Sequence, residues 1–368
     1  MKTPIVLAYS GGLRSSVAIP WLADKYGTEV VALTLGLGQS TDLLEIRDRA
    51  LAAGAVRAHV IDARDEYVRD FVWPSLRADA LPDGCYPLAT ALSRPLIAKQ
   101  LVDVARIEGA ALVAHASTGR DRARMHQPVG RLDGSLQVVA CADGMPPSQV
   151  AEYADRLGLA APVEGADRVD DNLWGRTVGR AADDGSQEAP DSSFAFTRDM
   201  AQTPASPAVV ELSFARGTPT GINGVTMTPV ELVESLAMIA GEHGIGRFDR
   251  IKNRADGTRS RVLSEAPAAA VWHDARRELE RLTASGRLNR FAPTVAAAYA
   301  GVIVRGEWFE RLRQGLDAYV WSTQERVTGT VRVKLFKGSS RIVGRTLNPD
   351  VPAPLVRPLR LGSRSRGV

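Results

Sequence analysis

The sequence predicts an α/β fold: a parallel sheet wrapped by helices over residues 1–165, an α+β domain over 166–350 and a basic tail at 351–368. Three observations point to it. Up to about residue 165, short β-branched runs alternate with amphipathic helical stretches, the pattern of parallel strands joined by crossover helices. A Ser/Gly turn, Ser10-Gly11-Gly12, separates the first apolar run from the first helical stretch. From Ala166 through Ser193 the chain becomes polar and rich in Gly, Asp and Ser, which reads as a long loop region. A length of 368 residues also exceeds the size at which one hydrophobic core stops growing.

Taken in order, Ile5-Val6-Leu7-Ala8-Tyr9 and Val30 to Leu35 are strands, and Val17 to Leu22 sits on a helix that opens directly after the Ser/Gly turn. A short strand at His59 to Asp62, a helix from Leu92 to Arg106 and a strand at Ala111 to His115 continue the alternation. After the polar stretch come strands and turns at Ala208 to Phe214 and Gly224 to Met227. Long helices follow at Pro229 to His243, Ala268 to Ser285 and Thr294 to Asp317, then a Val-rich strand pair at Thr328 to Val343. No internal repeat is present.

Composition narrows the class. Hydrophobic residues at 45% and charged residues at 24% are those of an ordinary soluble globular protein. Cys85 and Cys141 are the only cysteines, without CxxC spacing, which argues against a disulfide framework or structural zinc and for a reducing compartment. The N-terminal apolar run is too short for a signal-peptide core, and no stretch approaches the ~20 apolar residues of a membrane span, so a cytoplasmic location is expected. The net charge of +4 draws attention to the arginines between Arg357 and Arg366, which read as a solvated terminus. Nucleic acid is not the expected partner.

The most informative local feature is Ser10-Gly11-Gly12-Leu13-Arg14-Ser15-Ser16. A glycine pair between strand and helix lets the backbone turn tightly and approach a ligand, and the helix N-terminus aims unpaired N–H groups at an anion. Alone, the segment is also compatible with an ordinary N-capped turn. Competing nucleotide motifs fail: there is no Gly-Lys dipeptide for a Walker loop, and Gly36-Leu37-Gly38 lacks the third glycine of the dinucleotide fingerprint.

Ala8 to Leu22 resembles the pyrophosphatase loop (PP-loop) of the argininosuccinate synthase family. The resemblance continues, in family order, through Gly38-Gln39, Tyr86 to Lys99, Asp170 to Arg176, Asn253-Arg254, Ser260-Arg261, Glu265-Ala266-Pro267 and Thr323 to Gly338, and so spans nearly the whole chain. It implies an adenine-nucleotide α-hydrolase (HUP-like) domain followed by a synthetase domain, a homotetramer, and amino-acid metabolism or specialised biosynthesis. It also implies the chemistry: a substrate oxygen attacks the α-phosphate of ATP, pyrophosphate leaves into the Ser/Gly loop, and an amine displaces AMP. Such catalysis rests on positioning and charge stabilisation, with no protein nucleophile and no catalytic side chain assigned. Carried over by position, the ATP site comprises Ala8, Tyr9, Ser10, Gly11, Gly12, Leu13, Arg14, Ser15, Ser16, Leu35, Ala116, Thr118 and Gly119.

The acceptor site carried over in the same way comprises Tyr86, Thr90, Ala91, Thr118, Arg122, Ala123, His126, Arg168, Thr177, Lys252 and Ser264. Here the chain departs from the family. Arg122 and Ala123 stand where the family holds its aspartate substrate with Asn and Asp, His126 replaces Arg, and Ala91 and Arg168 replace serines of the citrulline site. Lys252 replaces a Glu, Ser264 a Tyr, and Thr177 a Ser. With Arg14 in place of the loop's Asp, formal charge over these positions shifts by about +6 with His neutral. An acceptor richer in carboxylate or phosphate than citrulline plus aspartate is therefore expected, in an ATP-dependent, AMP- and pyrophosphate-forming C–N ligase. Two alternatives stay open: the family's own reaction, and a nucleotide-binding paralogue without turnover. Mg2+ is implied by the family, but Arg14 supplies positive charge where Asp would favour a cation. His115 reads as a hydrogen-bonded structural residue and Trp174 as core.

Overall fold

The computed structural model describes residues 3–159, 168–180, 183, 185–253 and 259–348. The boundary expected at 165/166, Arg254 and the tail at 351–368 lie outside the described residues.

The first part is a five-stranded sheet of β1 (Ile5–Ala8), β2 (Val30–Gly36), β3 (Arg57–Asp62), β4 (Leu112–His115) and β5 (Gln137–Ala140). All pairings are parallel, in the order β3-β2-β1-β4-β5. The central strands are short aliphatic runs because both faces are covered. The helix Leu13–Tyr26 packs Val17, Ile19 and Leu22 with Ile5 and Leu7 on one side. The helix Ala89–Glu108 packs Leu92, Leu96 and Val102 with Val6 and Leu33 on the other.

The second part contains β6 (Arg168–Asn172), β7 (Gly175–Arg180), β8 (Ala208–Ala215), β9 (Thr218–Ile222), β10 (Val225–Thr226), β11 (Arg247–Asn253), β12 (Arg259–Glu265), β13 (Gly329–Phe336) and β14 (Ser339–Leu347). They form two antiparallel sheets, β10-β9-β8-β13-β14 and β11-β12-β7-β6. The helix Pro229–Glu242 begins with a capping box between Thr228 and Glu231. The helix Pro267–Thr283 puts Trp272 wholly inside the core. One hydrophobic cluster runs from Val6 and Leu33 through Trp73, Trp174 and Trp272 to Val331 and Leu335, so the two parts share a core. Trp73 meets Trp174 and Trp272 edge-on, with ring centroids 6.2 and 6.4 Å apart, and the expectation that Trp174 is packing core holds.

Two expectations need correction. The polar stretch 166–193 is not one loop: its described residues contain the β6–β7 hairpin. Alternation was hidden because both faces of this hairpin carry charged residues, Arg168 and Asp170 on one and Asp171 and Arg176 on the other. The same camouflage hid β11 and β12. The helix expected over Thr294 to Asp317 is two helices, Gly286–Arg305 and Arg311–Gln324. Gly306 ends the first at φ 81°, where a Cβ would lie 2.7 Å from the Arg124 Cα. A left-handed cap and close backbone approach both require glycine there.

Candidate functional site

The strand order reverses between β1 and β4, and ligands of open parallel sheets bind in the crevice beyond the carboxyl ends at such a switch point. Two loops leave those ends. After β1, Tyr9 is buried and its hydroxyl lies 2.9 Å from Ser16 Oγ. Ser10 Oγ is 3.2 Å from Ser15 Oγ, while Ser15 and Ser16 hydroxyls donate to the Gly12 carbonyl at 2.8 and 3.2 Å. Gly11 turns at φ 75°, and a Cβ there would meet Ile46 Cγ1 at 3.0 Å. Gly12 caps the helix Leu13–Tyr26 without a side-chain hydrogen bond, and its first turn holds no acid. The unpaired N–H groups are thus left for an anion.

After β4, Ala116, Ser117, Thr118 and Gly119 lead into the helix Arg120–Leu132. A cavity of about 190 Å³ between the two loops is lined by Arg14, Val17, Ala116, Cys141, Ala142, Met145 and Val150. His115 at the strand end is buried, and its Nδ1 accepts from the Ser117 N–H at 3.2 Å. Burial, then His126 and the nearby arginines, push its pKa down to about 3. A neutral, hydrogen-bonded imidazole fits the structural reading. Leu35 is buried near the end of β2, where Gln39 folds back to donate to its carbonyl at 2.8 Å. Arg14 is exposed in the first turn of its helix.

The acceptor candidates converge on one face of the β11-β12-β7-β6 sheet. Partners in register lie on the same face, as do residues two apart along a strand. Asp170, Thr177, Ser264 and Phe248 therefore form one row, and Arg168, Gly179, Val262 and Arg250 the next. Lys252 with Ser260 follows. This face meets the helix Ala89–Glu108 and its N-terminal loop. Tyr86 is buried there, its hydroxyl 3.0 Å from Thr177 Oγ1, which in turn lies 3.5 Å from Ser264 Oγ. Leu88, at φ 56°, turns the chain into the helix, and Trp174 and Asn172 grip the Pro87 and Ala89 carbonyls at 3.2 and 3.0 Å. Ala91 is buried, and Thr90 Oγ1 is buried without a hydrogen-bond partner among the described residues.

Not every candidate joins this cluster. Thr118 Oγ1 accepts from Arg168 at 3.0 Å. Arg122 is exposed and pairs with Asp143 at 2.7 Å, and Ala123 is also exposed. His126 sits edge-on to His115, ring centroids 4.9 Å apart, with its pKa lowered by burial and by Arg122. Arg124 is not a solvated arginine: its guanidinium donates to the Val304 carbonyl at 2.8 Å and to Asp121 at 2.7 Å. Arg94 lies between Asp170 and Asp121. Lys252 makes no salt bridge among the described residues; its ammonium lies 5.9 Å from the Tyr86 ring centroid. Reduced hydration, then Arg250, Arg124 and Arg120, push its pKa down to about 8 against the pull of Asp121.

Arg250 was missed. Its guanidinium lies 3.7 Å above the Tyr86 ring, and only β11 pairing shows that it shares a face with Lys252.

Comparison with known proteins decides the family. The Arginosuccinate synthase N-terminal HUP domain pattern matches residues 4–159, and the Arginosuccinate synthase C-terminal domain pattern matches 168–351. The chain belongs to the argininosuccinate synthase family. The argininosuccinate synthase of Dehalococcoides mccartyi is 43% identical over 353 residues, covering 94% of this chain and 87% of that one. The Symbiobacterium thermophilum enzyme is 44% identical over 353 residues, covering 94% and 88%, and that of Synechococcus elongatus 41% identical over 358 residues, covering 95% and 90%. Membership makes the chain an ATP-dependent C–N ligase of argininosuccinate synthase type, with a HUP domain bearing the parallel sheet. No described helix is long and apolar enough to cross a membrane.

Whether Mg2+ fits can be asked of the donors. The loop and its helix turn hold no acid, and no cluster of three or more His, Cys, Asp or Glu among the described residues could hold a metal ion. The side chains described at the loop do not fit it.

Proposed function

We propose that this chain activates an acceptor oxygen with ATP and joins the activated carbon to an amine, releasing pyrophosphate and AMP. The observation that carries the reading is the Ser10–Ser16 loop, with its uncapped helix N-terminus and hydroxyl lattice at the switch point. The loop would receive the β- and γ-phosphates, with Arg14 adding positive charge as pyrophosphate leaves. Ala116, Thr118, Gly119 and Leu35 would border the nucleotide, and the face carrying Tyr86, Thr177 and Ser264 would present the acceptor. These groups bind and orient, and the rate gain comes from held geometry and fixed charge.

For the acceptors, the name shared by the relatives favours formation of argininosuccinate from citrulline plus aspartate. A second reading, different acceptors, is favoured by a specific observation: Lys252, Arg168 and Ser264 lie on the face where the resemblance places citrulline, and Arg122 and Ala123 where it places aspartate. AMP and pyrophosphate release with ATP, with and without Mg2+, separates the readings when citrulline plus aspartate are compared with carboxylate- and phosphonate-bearing acceptors. Turnover with the first pair alone supports the relatives' reaction, and turnover with a panel member alone supports the second reading. No turnover, together with no ATP binding at millimolar nucleotide, overturns the ligase proposal. Gly11→Ala, which forces a Cβ onto Ile46 at a positive φ, is expected to abolish AMP release while the rest of the fold still melts cooperatively.

A further inference from the structure

Among the described residues Arg250 and Arg276 both leave Nε and Nη2 without a hydrogen bond, but Arg276 Nη2 has Asp79 at 3.5 Å, whereas Arg250 has no acid beside it. Its Nε and Nη2 are buried and have no hydrogen-bond partner among the described residues, while its guanidinium carbon lies over the Tyr86 ring, 3.7 Å from the ring centroid. Nε and Nη2 form the side-on edge of a guanidinium, the edge that grips a carboxylate through two parallel bonds. The molecule uses that edge elsewhere. Arg64 Nε and Nη2 hold Asp62 Oδ1 and Oδ2 at 3.0 and 2.8 Å, and the same two nitrogens of Arg261 hold the two oxygens of Asp249.

A buried donor pair without a partner costs free energy that a ligand would recover. The surroundings repeat the request. Lys252 is two residues along the same strand and face, with Arg124 and Arg120 adding positive charge around it. The one acid in the facing hydroxyl row, Asp170, is taken by Arg94, so a substrate ammonium finds no free carboxylate in that row.

Resting on the ligase reading above, we propose that Arg250, assisted by Lys252, binds a carboxylate of the acceptor substrate, and that the acceptor carries no ammonium beside it. Tyr86 is the floor of this subsite and the Thr177–Ser264 hydroxyls its edge. The substrate class is thus a carboxylic acid bearing a nucleophilic oxygen, of which a ureido acid without an α-amino group is the simplest representative.

The test uses the full chain and 5-ureidopentanoate, which is citrulline without its α-amino group, beside its primary amide and citrulline itself, with binding followed by calorimetry. 5-Ureidopentanoate is expected to bind at least about tenfold more tightly than either comparison compound, as one charge-assisted contact gives. Arg250→Gln should remove that preference; Arg250→Lys, which keeps the charge without the fork, should retain only part of it and guards against a folding failure in the first variant. Equal binding of acid and amide, or a preference unchanged in Arg250→Gln, overturns the carboxylate subsite, and tighter binding of citrulline overturns the absence of the ammonium. ATP-dependent AMP release is measured separately. Arg250-dependent acid binding without AMP release leaves the subsite standing and removes the ligase reading, whereas AMP release without that dependence does the reverse.

Discussion

The two faces of the β11-β12-β7-β6 sheet are made from the same residue types and do opposite things. On one face the charges are matched. Arg261 meets Asp249 and Asp183, Arg247 meets Asp191, and Glu265, only 1% exposed, is held by Arg176 and by the Ala195, Phe196 and Thr197 backbone N–H groups at 2.8 to 2.9 Å. On the other face Arg250 and Lys252 crowd together over Tyr86 with no acid bonded to either among the described residues. The first arrangement fastens the 190s loop to the sheet. The second leaves the buried Nε and Nη2 of Arg250 without a bond, a cost that an anionic ligand would offset. Charge alone did not distinguish them; pairing did.

Breaking the matched face should give the largest effect. Glu265→Ala strands Arg176 and several backbone donors in the interior, and a loss of about 3–5 kcal/mol is expected, read as a fall in the urea midpoint at unchanged m. A shift under a quarter of that would mean that the matched face is not structural.

His115 sharpens the same contrast at the nucleotide end. Its native pKa lies near 3 because burial disfavours the cation, while the unfolded residue titrates near its ordinary value. The unfolded state therefore takes up the proton first. Stability should fall as pH drops from about 6.5 toward 3, and His115→Gln should flatten that slope. An unchanged slope would point to another group.

Lys252 has the same sense in a higher pH window. Its pKa is lowered to about 8 from an ordinary 10.5, so below pH 8 the native state carries the full cost of an ammonium among arginines. That cost disappears as pH rises through 8 toward 10.5, where the native amine is neutral and the unfolded one still charged. Lys252→Met should be no less stable than the parent at pH 7, and the two should converge by pH 10. A variant clearly less stable at pH 7 would show that Lys252 belongs to the matched class. The smallest effect is expected at the exposed Arg122–Asp143 pair, where Arg122→Ala should cost under about 0.5 kcal/mol in the same denaturation assay.

Legibility followed chemistry of different kinds. The parallel sheet could be read from Ile5 to Tyr9, Val30 to Leu35 and Ala111 to His115, because strands covered on both faces must be apolar throughout. The strand-to-helix turn could be read because Gly11, at φ 75°, adopts a conformation that strains other residues. The β6–β7 hairpin and β11–β12 could not, since charged side chains on both faces erase the period of two. Arg250 escaped notice for the same reason, being one of several arginines in a stretch with no readable face.

The sequence by itself determined the family, the order of the two halves and the Ser/Gly loop, since these depend on local backbone chemistry and on motifs in linear order. Only the tertiary structure decided that Arg122 turns to Asp143, that Arg94 occupies Asp170, and that Arg250 joins Lys252 above Tyr86. A charge's role depends on whether a partner is within reach, and partners lie on strands and helices far apart in the chain.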